Sequence, residues 1–132
     1  MRRIILDTNF LMVPLQFKVD IFSEIHRICN FQYKIFIFEQ SIDELNAIIK
    51  EQKGKDKKAA QFALKIVKSK DIEILKAEGD YVDNIIIQNR KDDDIVATTD
   101  LDLKKKLLER YIAVIVLRQK KYLQIFERKL YK

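Results

Sequence analysis

Five short β-branched and aromatic runs alternate with segments of helical periodicity along this chain of 132 residues. The runs are Arg3 to Asp7, Lys34 to Phe38, Ile72 to Leu75, Asp94 to Thr98 and Ile112 to Leu117. Apolar residues spaced at three and four, typical of a helix face, occur at Phe17, Ile21, Ile25 and Ile28, at Ile42, Leu45, Ile48 and Ile49, at Ala59, Phe62, Ala63, Ile66 and Val67, and within 81–88 and 103–108. Strands that alternate with helices pair in parallel, with helices on both faces of the sheet. The sequence therefore predicts an α/β fold.

The length predicts one domain over residues 1–132, since domains usually span about 100 to 200 residues. Two glycines and one proline leave no flexible linker. The single cysteine, Cys29, cannot form an internal disulfide, so we expect a reducing, cytoplasmic compartment. The longest apolar run, Ile112 to Leu117, is far shorter than the roughly 20 residues that cross a bilayer. We therefore expect no membrane association.

Acidic residues gather near the carboxyl ends of the predicted strands, where ligands bind in parallel sheets. The candidates are Asp7, Thr8 and Asn9 after the first strand, Glu44 one turn into the helix after the second, Asp83 in the first turn of the helix before the fourth, and Thr98, Thr99, Asp100 and Asp102 after the fourth. This clustering indicates a functional site at one end of the sheet.

Each acid also has a structural explanation as a helix cap. Ser41 and Glu44 fit the S-x-x-E capping box, and Asp80 fits an N-cap position. Asp100 fits the N-cap of a helix that starts near Leu101. Helix N-termini cluster at strand ends in this fold class, so capping acids would cluster there as well. Taken singly, each acid is at least as well explained as a cap as it is as a ligand.

Capping explains Asp7 poorly, because it ends the apolar run Ile4-Ile5-Leu6. Buried carboxylates cost several kcal/mol each to desolvate and repel one another, so a site that holds several needs a cation or raised pKa values. Mg²⁺ and Mn²⁺ prefer oxygen ligands and are commonly held by one or two carboxylates. Thr8, Asn9 and Thr99 add neutral groups that can orient these carboxylates. The pattern favours a metal-dependent phosphoryl-transfer site.

Three other α/β phosphate chemistries fit the sequence less well. A haloacid-dehalogenase-like phosphatase needs D-x-D after the first strand, but Asn9 occupies the second position. A response-regulator receiver needs an aspartate after the third strand, which runs into Lys76. A Walker-type loop needs clustered glycines, whereas Gly54 and Gly79 lie far apart.

The motifs I-L-D-T-N-F, D-E-L, G-D-Y-V-D-N-I-I and I-V-A-T-T-D-L-D-L-K, in this order, resemble those of PIN-domain nucleases over nearly the whole chain. The D-T-N-F start, Q-F-K-V-D-I-F and A-T-T-D-L-D-L-K most resemble the archaeal and eukaryotic branch that processes pre-ribosomal RNA. The resemblance implies a three-layer fold with a five-stranded parallel sheet in the order 3-2-1-4-5. It also implies endonucleolytic hydrolysis of RNA phosphodiester bonds.

The acids of that family match Asp7, Glu44, Asp83, Asp100 and Asp102, which the resemblance implies to be the catalytic set. We expect Asp7, Asp83 and Asp100 to bind one or two Mg²⁺ or Mn²⁺ ions, with Glu44 and Asp102 completing the site directly or through water. The ion would activate a water for in-line attack on the phosphodiester. Many relatives have a second acid where this chain has Asn84, which leaves the number of ions open.

The basic residues are concentrated near the C-terminus. The chain carries a net charge of +6, but from Leu103 onward it has ten basic and two acidic residues, whereas residues 1–102 carry 16 and 18. Such asymmetry favours a polyanion-binding face, although a solvated lysine-rich surface explains it equally well. The candidate RNA-binding residues are Lys104, Lys105, Lys106, Arg118, Lys120 and Lys121.

Three functions remain compatible with these residues. The main hypothesis is a metal-dependent endoribonuclease of ribosomal RNA processing. The first alternative is a toxin ribonuclease of the VapC kind, which an antitoxin inhibits; the second is a non-catalytic RNA-binding module of ribosome assembly, in which the acids are caps. We expect RNA as a partner, together with an antitoxin or a ribosome-assembly factor, and the sequence is compatible with a homodimer.

Overall fold

A computed structural model describes residues 1–128 as a mixed sheet with helices packed on both faces. The strands are β1 (Arg2–Leu6), β2 (Tyr33–Phe38), β3 (Ile72–Leu75), β4 (Ile95–Ala97), β5 (Ala113–Arg118) and β6 (Tyr122–Phe126). The helices are α1 (Thr8–Leu11), α2 (Val13–Phe17), α3 (Ile21–Ile28), α4 (Glu39–Glu51), α5 (Lys55–Ser69), α6 (Val82–Gln88) and α7 (Leu101–Glu109). The predicted α/β class is confirmed.

The strand order is β3-β2-β1-β4-β5-β6, so the first five strands are parallel and follow the implied order. The predicted number of strands was wrong, because β6 adds a sixth strand antiparallel to β5. The turn between them, at Gln119 and Lys120, has positive φ at both residues but lacks the Asn and Gly that usually mark such hairpins. The sequence therefore gave no hairpin signal.

Successive residues of β1 point to opposite faces of the sheet and enter two separate cores. Ile4 and Leu6 pack with the helices α1 to α5, whereas Ile5 packs with α6 and α7. All three side chains are fully buried. A strand buried on both faces lies at the centre of the sheet. This explains why the three residues before Asp7 are all apolar.

The helix predicted through Phe17 and Ile21 is interrupted. Phe17 ends α2, and Lys18 adopts a left-handed conformation with φ of 55°. Asp20 then caps α3 by accepting hydrogen bonds from the backbone N–H groups of Phe22 and Ser23, each at 3.2 Å. The apolar periodicity continued across the break because both helices bury residues in the same core.

Helix α3 holds the outer edge of β6 through two side chains. The Leu123 N–H donates to Glu24 Oε1 at 2.9 Å, and Arg27 Nη2 donates to the Leu123 carbonyl at 3.0 Å. These contacts satisfy backbone groups that an edge strand would otherwise present to solvent. The β5–β6 hairpin is thereby fixed to the body of the protein.

No helix among residues 1–128 is long and apolar enough to cross a membrane.

A bidentate ion pair joins β1 to the residue before β4 at the end of the sheet away from the acids. Arg3 donates to Asp94 at 2.9 and 2.8 Å, and the Asp94 side chain is only 1% exposed. Asp94 also accepts a hydrogen bond from the backbone N–H of Lys91. This pair connects the two central strands whose other ends carry the candidate acids.

We expect Arg3→Ala to lower the free energy of unfolding by about 3 kcal/mol, because it leaves the buried Asp94 carboxylate without its ion-pair partner. Urea denaturation at neutral pH measures the change. Lys34→Ala is the matched control, since it removes an exposed cross-strand pair with Glu73 and should cost much less. Equal losses in the two variants would contradict the assignment.

Candidate active site

A pocket of about 390 Å³ opens at the carboxyl ends of β1 and β4. Four carboxylates line it, those of Asp7, Glu44, Asp83 and Asp100. Thr8, Asn9, Ala47, Ile48 and Val82 complete the lining. The structure therefore brings together four of the five acids predicted from sequence. Asp102 is the exception, because it is exposed in the first turn of α7 and does not line this pocket.

Asp7 is the most deeply buried of these acids, with 6% of its surface exposed. Its Oδ1 accepts a hydrogen bond from the Thr8 N–H at 2.9 Å, which caps α1. Its Oδ2 accepts from the Thr98 hydroxyl at 2.8 Å. The carboxylate is thus fixed by one neighbour in sequence and one from the adjacent strand.

Burial raises the pKa of Asp7 from its ordinary value of 3.8 to about 6. This net value includes the hydrogen bonds from Thr98 and Thr8, which lower the pKa, and the negative charges of Glu44 and Asp100, which contribute to the rise. None of the four acids forms a salt bridge with a residue in the described part of the chain. The pocket therefore concentrates negative charge without a protein cation to balance it.

Glu44 is oriented by Thr8 rather than by a capping interaction. The Thr8 hydroxyl donates to Glu44 Oε1 at 2.6 Å and lies 2.9 Å from the Ser41 hydroxyl. The predicted capping box was wrong, because α4 begins at Glu39 and so Ser41 is a buried residue inside the helix. Thr8 thus holds one carboxylate of the pocket through its hydroxyl group.

Asp100 combines the two roles that the sequence left as alternatives. Its Oδ1 caps α7 by accepting from the backbone N–H groups of Asp102 at 2.9 Å and Leu103 at 3.2 Å. Its Oδ2 accepts no hydrogen bond from the residues that the structure describes. One oxygen therefore fixes the helix start while the other remains available in the pocket.

Thr98 lies directly after the fourth strand, as the sequence indicated, but the sequence assigned it no role in the site. Its hydroxyl donates to Asp7 and accepts from the Asp100 N–H at 3.0 Å, so it connects the two acids. Thr99, predicted for a similar role, is exposed and makes no hydrogen bond to these acids within residues 1–128. The parallel register pairs Leu6 with Ala97 and therefore places Asp7 beside Thr98. Only this strand pairing relates the two residues.

Asp83 lies in the first turn of α6, as predicted, and its Oδ1 accepts from the Asn84 N–H at 3.1 Å. The prediction that Asp80 caps this helix was wrong, since the N-cap residue is Tyr81 and has no side-chain capping bond. Asn9 is exposed and lines the pocket, without a side-chain hydrogen bond to the acids among the described residues.

The donor set suits a hard divalent cation, because every candidate ligand is a carboxylate, hydroxyl or amide oxygen. Among residues 1–128, no three carboxylate, imidazole or thiol groups already lie together as a ready-made metal site. A magnesium-type ion needs only one or two direct carboxylates and keeps several waters. The pocket is compatible with such an ion held by few direct protein ligands.

The six basic candidates lie on two neighbouring elements, α7 and the β5–β6 hairpin. Lys104 is half-buried, and the other five are exposed. Lys104 and Arg118 line a second cavity, which also includes Asp100. The basic side chains thus adjoin the acidic pocket.

The family described as PIN like domain matches residues 4–120. Ribonuclease VapC4 of Methanocaldococcus jannaschii is 38% identical over 130 residues, which cover 96% of this chain and 98% of that protein. Ribonuclease VapC9 of Archaeoglobus fulgidus is 31% identical over 118 residues, covering 89% and 84%. The structure of the PIN domain endonuclease Utp24 superposes with a TM-score of 0.75 at 22% identity, covering 96% of this chain and 92% of that one.

The chain therefore belongs to the PIN-like domain family. The fold implied by the resemblance is confirmed, apart from the added strand β6.

The raised pKa of Asp7 predicts how stability depends on pH. Between about pH 4 and 6 the folded protein binds this proton more tightly than the unfolded chain does. The stabilisation is present below about pH 4 and is lost as the pH rises through about 6, at a cost of roughly 3 kcal/mol. In EDTA, Asp7→Asn should therefore be more stable than the wild type at pH 7.5 but not at pH 4.

Urea denaturation of both proteins across this pH range measures the difference. Asp43→Asn, which alters an exposed acid of α4 outside the pocket, serves as the control. If the stability difference between Asp7→Asn and the wild type does not change with pH, Asp7 has the same pKa in the folded and unfolded chain and the assigned shift is wrong.

Proposed function

We propose that this protein is a divalent-metal-dependent endoribonuclease of the VapC type. The observation that carries the proposal is the single pocket in which Asp7, Glu44, Asp83 and Asp100 meet at the carboxyl ends of two adjacent parallel strands. Such a concentration of unpaired carboxylates is costly unless a cation joins it. Binding a catalytic cation at this pocket would offset that electrostatic cost, and the same cation would act on a phosphodiester.

The sequence relatives favour the toxin alternative over ribosomal RNA processing. Two proteins named ribonuclease VapC align along most of the chain, one of them at 38% identity. The similarity to Utp24, at 22% identity, supports the fold but not a shared substrate. We therefore propose an antitoxin as the protein partner and RNA as the substrate, and ribosomal RNA processing becomes the weaker alternative.

In this proposal Asp7, Asp83 and Asp100 would hold Mg²⁺ or Mn²⁺, which would supply an activated water and neutralise charge on the phosphodiester. Thr98 holds Asp7 and the backbone of Asp100 in one arrangement, and Thr8 orients Glu44 towards the same pocket. Asp102 acts from the rim, through water, because its side chain lies outside the pocket. Lys104, Lys105, Lys106, Arg118, Lys120 and Lys121 attract the RNA backbone.

We expect Asp7→Asn to reduce Mn²⁺-dependent cleavage of labelled RNA by more than about 100-fold, and Thr98→Val by about 10- to 100-fold, the usual effect of losing a group that orients a metal ligand. EDTA should abolish cleavage by the wild type. Gel analysis of a 5′-labelled single-stranded RNA measures all three effects. Because Asp7→Asn is expected to be at least as stable as the wild type at neutral pH, its loss of activity cannot be attributed to unfolding.

Asp43→Asn should cleave like the wild type, since Asp43 is exposed and outside the pocket. Undiminished cleavage by Asp7→Asn would overturn the assignment of the site. RNA binding without cleavage in Mn²⁺ would instead favour the non-catalytic ribosome-assembly module.

Growth of a bacterial host distinguishes the toxin from an RNA-processing enzyme. Induced expression of the wild type should arrest growth, and expression of Asp7→Asn at the same level should not. Active cleavage in vitro without any growth defect would favour the ribosomal RNA processing alternative.

A further inference from the structure

A second cavity, of about 340 Å³, lies beside the acidic pocket. It is enclosed by the end of α2, the start of α7 and the end of β5. Asp100 lines both cavities, so they adjoin at that residue. The lining of the second cavity is mainly apolar, with contributions from Phe17, Leu101 and Leu117. Leu101 is 77% exposed, so its side chain is accessible to a ligand in this cavity.

Two cations stand at the rim of this cavity and share one aromatic ring. Lys104 Nζ lies 4.9 Å and Arg118 Cζ 5.8 Å from the ring centroid of Phe126. Neither forms a salt bridge with a described residue. Both side chains line the cavity, so an anion bound there would be attracted by two positive charges.

The rim is held in position by the β5–β6 hairpin. Gln119 and Lys120 both have left-handed backbone conformations, with φ of 53° and 55°, and the Lys121 N–H closes the turn on the Arg118 carbonyl at 3.0 Å. Non-glycine residues adopt this conformation at a cost, and such strain tends to persist where it positions a functional group. Here it directs Lys120 to within 5.9 Å of the Phe17 ring at the cavity wall.

We propose that this cavity is a nucleotide subsite that takes one unstacked base of single-stranded RNA, with Lys104 and Arg118 binding the adjoining phosphate. The inference rests on the proposed function, because the strand is assumed to run from the acidic pocket past Asp100. An apolar recess with cations at its rim matches the chemistry of a nucleotide, which has a flat base and an anionic phosphate. A base-paired RNA would not fit, because its bases remain stacked in the helix.

The same surface is less suited to an acidic peptide as the primary occupant. A carboxylate would satisfy the cations, but nothing in that chemistry accounts for a neighbouring pocket rich in carboxylates, which would repel an acidic peptide. An RNA strand cleaved at the acidic pocket has a further nucleotide next to the cleaved bond. The adjoining cavity has the apolar lining and the cations that such a nucleotide needs.

Fluorescence anisotropy in EDTA tests the subsite with three labelled probes. They are an oligouridylate of about eight nucleotides, an abasic ribose-phosphate strand of the same length, and an acidic peptide of about eight amino acids. The wild type should bind oligouridylate roughly 5- to 100-fold more tightly than the abasic strand, the range expected for one stacked base. Leu101→Ala should reduce this ratio towards one by weakening oligouridylate binding alone. Lys104→Ala should weaken both strands equally and lower the slope of log affinity against log salt by about 0.7.

Two matched controls separate these effects from general ones. Leu15→Ala removes an exposed leucine of α2 that does not line the cavity, and Lys68→Ala removes an exposed lysine of α5. Both should bind all probes like the wild type. Thermal unfolding of each variant verifies that Leu101→Ala and Lys104→Ala remain folded.

An unchanged ratio of oligouridylate to abasic binding in Leu101→Ala would overturn the subsite. So would tighter binding of the acidic peptide than of oligouridylate with the same dependence on Leu101 and Lys104, which would assign the cavity to a protein partner. Cleavage of the oligouridylate with Mn²⁺ is measured in parallel. Base-dependent binding without cleavage supports the subsite while the proposed ribonuclease function fails, so the two failures are distinguishable.

Discussion

The parallel pairing of β1 with β4 is the contact on which the rest of the site depends. These strands are distant in sequence but adjacent at the point where the strand order reverses, and the Asp7 N–H donates to the Ala97 carbonyl at 2.9 Å. That register places the Thr98 hydroxyl beside Asp7 and beneath the Asp100 N–H. Helices α4 and α6 then contribute Glu44 and Asp83 from the two faces of the sheet. An acidic pocket follows from the topology because each acid comes from a different element.

The acids in this pocket are structural and functional groups at once. Asp7 caps α1 and Asp100 caps α7, yet both line the cavity. A carboxylate has two oxygens and about four acceptor sites, so accepting one or two backbone hydrogen bonds leaves capacity for another partner. Capping also restrains the side chain, which prepares it to bind a cation with little further loss of conformational freedom. A cap and a metal ligand are therefore compatible roles for a single aspartate.

The molecule separates its charges over a short distance. The acids face a pocket closed by β1, α4 and α6, whereas the cations lie on α7 and the β5–β6 hairpin just beyond Asp100. Strand β6 pairs antiparallel with β5 and completes the hairpin that carries Arg118, Lys120 and Lys121. Through this hairpin Arg118 lines the second cavity, and Lys120 Nζ lies 5.9 Å from the Phe17 ring at its wall. A basic tail without that strand would have no fixed direction.

The class of fold and most of the acidic site were predictable from the sequence, because both depend on local patterns. Apolar runs alternating with helical periodicity predict parallel strands, and residues directly after those strands must meet at one edge, as Asp7 and Asp100 do. Three features depended on tertiary contacts instead. Thr98 contacts Asp7 across a strand pairing, Ser41 is buried inside α4 against the Thr8 hydroxyl, and Asp102 is exposed outside the pocket. The sequence by itself thus determined which residues reach the end of the sheet. Only the tertiary structure decided which of them face one another, because hydrogen-bond partners from separate elements are set by packing and not by local sequence.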